Sequence, residues 1–231
     1  MTYRAMTLAL TTALALGGCA GRQAAADNPI LKLSLEERRR VQLAGPQMPF
    51  WSDAQRAERF RAMEQQFPGS VAAPAVTPRA LPPGAAIAGL NEAEVDGYMA
   101  AQNLSGLIVL QDGKVRLERY RMGLLPQQRW TSFSVAKSLT STLAGQALKE
   151  GRIRSLSDPV TRYVPELKGS AYDGVSVEQI LTMSSGVAWN EDYADPASDV
   201  ARMFSEPLRE GEDPALTFLA KLPREAQPGR R

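Results

Sequence analysis

The strongest constraint on this fold is a dipeptide, Asp112-Gly113, set between two runs of strand-forming residues. Both residues tolerate the positive φ of a tight two-residue turn, so the flanking runs are predicted to pair as an antiparallel hairpin. Upstream stands Leu107-Ile108-Val109-Leu110, apolar throughout and therefore expected to be buried on both faces. Downstream, Val115, Leu117 and Tyr120 alternate with Arg116, Glu118 and Arg119, the pattern of a strand with one wet face.

The period then changes. Residues 135–149 form a helical stretch beginning at Ser134 and closing at Gly151, a helix stop. Ala136, Leu139, Leu143, Ala147 and Leu148 recur at three- and four-residue intervals, which predicts a buried stripe. Ser157-Asp158-Pro159 and Ser176-Val177-Glu178 read as further helix starts, the first with proline at the first helical position. A hairpin followed by helices predicts an α+β fold in which helices cover an antiparallel sheet.

Ahead of the hairpin, Ser34-Leu35-Glu36-Glu37 and Ser52-Asp53-Ala54-Gln55 both fit capping boxes. The second helix is expected to run to about Gln66, with Phe60, Met63 and Phe67 on one side, before Pro68-Gly69. Residues 71–89 hold five prolines and read as an extended connector on the surface. At the extreme N-terminus, Arg4 leads into an apolar run over residues 5–16, too short to span a bilayer and of signal-peptide size. It ends in Leu16-Gly17-Gly18-Cys19, which resembles the bacterial lipobox. A plain secretory signal or a buried helix is the competing reading, but the only cysteine falls where a lipobox requires one. The expectation is a lipoprotein signal peptide over 1–19, a tether and helix over 20–49, and one partial domain over 50–231. Acylated Cys19 would hold the chain to a membrane of the bacterial cell envelope, on its periplasmic or extracellular side.

The composition excludes several chemistries. The 231 residues carry no histidine, which removes Ser-His-Asp and Cys-His catalysis and any imidazole zinc site. A single cysteine leaves neither an intrachain disulfide nor a thiolate cluster, so no metal and no cofactor is expected. The net charge of +2 is small, and the Arg38-Arg39-Arg40 run follows Glu36 and Glu37, so no nucleic-acid partner is expected.

The remaining route to a nucleophile is Ser132-Phe133-Ser134-Val135-Ala136-Lys137-Ser138. Residues three apart on a helix share a face, so the amine of Lys137 can reach the hydroxyl of Ser134. A serine hydroxyl attacks poorly until a neighbour takes its proton. A lysine can do so only when desolvation or positive potential lowers its pKa from about 10.4. A helix N-terminus supplies such potential and leaves the Ser134 amide free as an oxyanion donor. The competing assignment makes Ser134 a helix N-cap and Lys137 a solvated surface charge.

Around this motif the sequence resembles the serine beta-lactamase and penicillin-binding-protein superfamily, most closely its class C-like esterase and 6-aminohexanoate-dimer hydrolase branch. Trp130-Thr131-Ser132-Phe133-Ser134-Val135-Ala136-Lys137 is similar to the nucleophile segment, following a strand pair. Leu156-Ser157-Asp158-Pro159-Val160 with Tyr163-Val164-Pro165-Glu166-Leu167 resembles the loop after the nucleophile helix, and residues 175–186, ending Ser184-Ser185-Gly186, the next helix. The likeness covers residues 50–229. It implies a beta-lactamase/transpeptidase-like fold and a serine hydrolase acting on small amides, esters or beta-lactams through Ser134 and Lys137. It also implies Tyr193, in Asp192-Tyr193-Ala194-Asp195-Pro196, as a substrate contact and Trp189 as a pocket wall. A buried aromatic with its hydroxyl capped is the equal alternative for Tyr193.

The family's Tyr-x-Asn element and its Lys-Thr-Gly or His-x-Gly strand have no counterpart here. Residues 223–229 resemble the run-up to Tyr-x-Asn, and Arg230-Arg231 follow. The expectation is a truncated domain lacking its C-terminal strands, as an early stop, a frameshift or a gene fragment would leave. Two readings follow: a hydrolase with slowed deacylation, or a catalytically inactive lipoprotein fragment that at most binds a ligand or partner.

Overall fold

The computed structural model describes residues 29–44, 48, 50–67, 69 and 71–230. The signal peptide and Cys19 lie outside these residues. The chain divides into two compact units, one of Met1–Pro49 with Phe133–Arg231 and the other of Phe50–Ser132. Among the described residues no helix is long and apolar enough to cross a membrane.

Helix α1 spans Leu35–Ala44. It starts as its capping box requires, with the Glu37 amide donating to Ser34 Oγ at 3.2 Å and the Ser34 amide to Glu37 Oε2 at 2.8 Å.

The Phe50–Ser132 unit begins with α2, Asp53–Arg59, capped reciprocally by Ser52 and Gln55. The expected run to Gln66 is interrupted: the chain leaves the helix at residues 60–62 and re-enters as α3, Met63–Gln66. Tertiary contacts at the break take over from helical ones. Phe60 packs between Trp51 and Trp130 at 5.9 and 5.7 Å, its carbonyl accepts from the Thr131 amide, and Arg61 donates to Gly123 O. The connector does not lie free along its whole length, because Val115 N–H donates to Pro82 O and Gly84 N–H to Val115 O at 2.9 and 2.7 Å.

Next comes α4, Glu92–Ala101, which the sequence pattern did not disclose; Asn91 and Glu94 cap it reciprocally, and it buries Val95 and Met99. Strands β1, Gly106–Gln111, and β2, Lys114–Tyr120, form the antiparallel hairpin. Asp112 and Gly113 carry the positive φ values, 53° and 72°, that the two-residue turn needs. Val109 pairs with Leu117 but Leu110 with Val115, so Arg116 is the extra residue of a bulge. The expected double burial of β1 is not found. Ile108 and Leu110 are about half exposed, because the sheet has two strands among the described residues and only its other face is covered.

The other unit resumes with a 3₁₀ turn, Phe133–Val135, and α5, Ala136–Lys149. Gly151 ends it at φ +74°, its amide donating to Leu148 O, and the Arg152 amide reaches Ala147 O. Here too the burial expectation fails. Leu139 and Leu143 are 67% and 68% exposed and no residue of α5 is buried, since no described element packs along that stripe.

Residues 159–167 supply 3₁₀ turns, with Pro159 at the cap position where the sequence pattern placed it inside the helix. Helices α6, Val177–Leu181, α7, Asp199–Met203, and α8, Pro214–Leu219, follow. Leu167, Val175, Val177, Val200, Phe218 and Leu222 form the core of this unit. The fold is α+β.

Candidate active site

Ser134 sits in the 3₁₀ turn that feeds α5, one turn ahead of Lys137. Lys137 Nζ donates to Ser134 Oγ at 2.8 Å. Ser134 does not act as the helix cap: the cap position is Val135, and no side-chain capping bond is made there. The hydroxyls that follow are satisfied within the helix, Thr140 and Thr142 donating to carbonyls one turn back and Ser141 to Ser138 O. Ser134 alone of this group turns to a lysine. The residue before it, Phe133, holds φ +43°, a region costly for a bulky side chain, so backbone strain lies next to the hydroxyl. Both Ser134 and Lys137 are exposed. The described residues therefore provide the positive end of a helix but not the burial that would desolvate the ammonium.

A second cluster forms on the loop between α6 and α7. Asn190, Asp192 and Asp195 each accept the amide two residues on, at 3.0, 2.9 and 2.8 Å, so the loop is shaped by its own side chains. Asp199 Oδ2 closes it by accepting from the Asn190 amide at 2.8 Å. This folding presents Tyr193 half exposed, with its hydroxyl donating to Glu191 Oε1 at 2.8 Å. The same carboxylate accepts from Trp189 Nε1 at 3.3 Å. Tyr193 is thus capped but not buried. Its ionisation is pushed above the ordinary tyrosine value by the hydrogen bond to Glu191, then by partial burial and by the carboxylate's charge.

Trp189 stacks edge-on against Phe218, 6.5 Å between centroids, and walls a cavity of about 590 Å³ with Tyr172, Met183, Ser185, Leu219 and Glu225. Neither Ser134 nor Lys137 lines this cavity. The structure therefore brings Ser134 to Lys137 and Trp189 to Tyr193, and no hydrogen bond or ring contact joins the two pairs among the described residues.

Several fixing contacts carried no sequence signal. Glu191 lies two residues from each aromatic it ties, a spacing common to any loop. Tyr163 donates to Asp158 Oδ2 at 2.5 Å, and Arg154 and Arg162 flank the same carboxylate at 3.5 and 3.8 Å, which stiffens the segment after α5. Gly186 accepts the amides of Glu225 and Ala226 through its carbonyl, and Ser184 O that of Gly229, so residues 224–229 are laid along the Ser-Ser-Gly turn. Arg224 holds the arrangement by donating to Ala171, Asp173 and Ser185 carbonyls.

Comparison with known proteins agrees with this geometry. Residues 91–231 match the family described as Beta-lactamase. Over 114 residues the chain is 46% identical to the 6-aminohexanoate-dimer hydrolase of Paenarthrobacter ureafaciens, covering 48% of this chain and 29% of that protein. It is 35% identical over 104 residues to a beta-lactamase of Pseudomonas fluorescens, covering 41% and 29%, and 29% identical over 99 residues to one from Providencia stuartii, covering 43% and 26%. The chain thus matches less than a third of the length of each of these relatives. The matched region takes in the hairpin, the Ser134–Lys137 pair and the Tyr193 loop, and the chain belongs to the beta-lactamase family.

Proposed function

We propose that this chain carries the nucleophile of a serine hydrolase that acts on small amides, esters or beta-lactams through an acyl-enzyme. The observation that carries the reading is the 2.8 Å contact between Lys137 Nζ and Ser134 Oγ at the start of α5. Once Lys137 has lost a proton, the same contact lets the amine take the hydroxyl proton as Oγ attacks the substrate carbonyl. The Ser134 amide, in the first turn of the helix entry, provides one oxyanion donor. Lys137 then returns its proton to the leaving group, the carbon–heteroatom bond breaks, and Ser134 carries the acyl group until water removes it. Tyr193 contacts the substrate and Trp189 walls its pocket. That the 46% identical relative is named for hydrolysing an amide dimer favours small amides. Cys19, at the end of a lipobox-like run, anchors the mature chain to a membrane of the cell envelope.

Labelling the folded chain with a fluorescent penicillin and with a fluorophosphonate, with Ser134→Ala as control, tests the reading. A Ser134-dependent adduct is expected, and its absence from a folded sample overturns the hydrolase proposal for this chain. The open setting of Ser134 and Lys137 favours the second reading, an inactive member that only binds a ligand or partner.

A further inference from the structure

We infer that the groove between α1 and the α7–α8 region is a binding site for an amphiphilic carboxylate, a medium-chain alkyl acid whose carboxylate takes the Nε–Nη2 edge of Arg38. The site stands apart from Ser134 and Lys137, neither of which lines it, and does not rest on the acyl-transfer reading.

Helix α1 is held to the rest of its unit by two long side chains. Gln42 Nε2 donates to Glu206 O at 2.7 Å, and Arg38 Nη1 to Glu212 O at 2.9 Å. That single bond is all the Arg38 guanidinium makes among the described residues. Arg38 is only 5% exposed, and its Nε is buried with no hydrogen-bond partner. Buried guanidinium groups are ordinarily paired with a carboxylate and buried donors are ordinarily satisfied, so this one is short of a partner. The free Nε and Nη2 form the parallel-donor edge that matches a carboxylate oxygen for oxygen.

The surroundings specify the rest of the ligand. Arg38 opens on a groove of about 230 Å³ whose walls include Leu33, Val41, Met203, Phe204 and Leu208. Apolar walls with one convergent polar group suit a ligand with an alkyl body and a single charged end. A phosphate would bring a second negative charge with nothing to meet it. The one carboxylate on the wall, Asp213, turns its Oδ1 to the amides of Ala215 and Leu216 at 2.9 and 3.4 Å and makes no ion pair with Arg38.

The test uses the full chain with ¹³C-methyl methionine. Met203 lies on this groove and Met183 on the separate cavity beside Trp189, so each methyl reports on its own site. Octanoate is expected to shift the Met203 resonance saturably and leave Met183 in place, and 1-octanol, the same chain without the charge, to bind at least about tenfold more weakly. Arg38→Gln should remove that preference. Should that variant fail to fold, the octanoate and octanol titrations of the unaltered chain decide alone. No saturable Met203 shift, a shift at Met183 instead, or equal affinity for octanoate and octanol would overturn the proposal.

Discussion

The hydroxyl of Tyr193 donates to one oxygen of the Glu191 carboxylate at 2.8 Å, while the other oxygen accepts the indole N–H of Trp189 at 3.3 Å. One acid therefore sets the orientation of both aromatics. A phenol that donates to a carboxylate loses that bond and gains a repulsion on ionising, which is why Tyr193 titrates above its ordinary range. Glu191→Gln should bring its ionisation back toward about 10, read as the phenolate absorbance lost in Tyr193→Phe. An unchanged titration in Glu191→Gln would refute the assignment.

At the nucleophile, Ser134→Ala should abolish covalent labelling outright. Lys137→Met should slow it by about 10²–10⁴-fold, the usual worth of general acid-base assistance. Lys137→Arg separates proton transfer from charge, since a guanidinium keeps the charge but does not give up its proton. Labelling of Lys137→Arg at the rate of the unaltered chain would remove Lys137 from the role of base.

Gly186 is the position least tolerant of a side chain. It lies at φ +71°, and an added Cβ would meet the Ala226 carbonyl oxygen at 2.2 Å, a contact with backbone on the strand-like run it supports. Gly186→Ala is expected to cost more than about 2 kcal/mol in urea unfolding, because strain and overlap act together.

Asp158 gives the acid limb of stability. Its carboxyl is held below the usual carboxylate range chiefly by the hydrogen bond from Tyr163, helped by Arg154 and Arg162 and opposed by burial. A carboxylate with a depressed folded pKa stabilises the fold above its unfolded pKa, and that contribution is lost as pH falls through the folded value. Thermal midpoints should therefore fall below about pH 4, and fall less in Asp158→Asn than in the unaltered chain. Parallel acid limbs would contradict this.

The exposed stripe of α5 predicts association. With Leu139 and Leu143 at 67% and 68% exposure, the double variant Leu139→Glu and Leu143→Lys should shift stability by no more than about 0.5 kcal/mol and reduce concentration-dependent sedimentation. A larger stability loss would mean the stripe is covered in solution.

The elements legible beforehand were those whose signal is local. The Asp112-Gly113 turn, the Ser34 and Ser52 capping boxes and the Gly151 stop follow from steric and hydrogen-bonding needs within a few residues. Helix α4 escaped notice although Asn91-Glu92-Ala93-Glu94 is such a box, because Gly97 and a weak apolar period follow it. The break at residues 60–62 could not be read locally, since Trp130, Thr131 and Gly123 cause it from 60 or more residues away.

For the site the division is the same. By itself the sequence determined that any nucleophile must work without histidine, and that Ser134 and Lys137 share a helix face, because composition and a three-residue spacing are properties of the chain alone. Only the tertiary structure decided that Leu139, Leu143, Ile108 and Leu110 are open to solvent, that Glu191 ties Tyr193 to Trp189, and that Arg38 is buried with an edge unpaired. An apolar period states that a face can be buried, but burial itself depends on which other elements arrive to cover it.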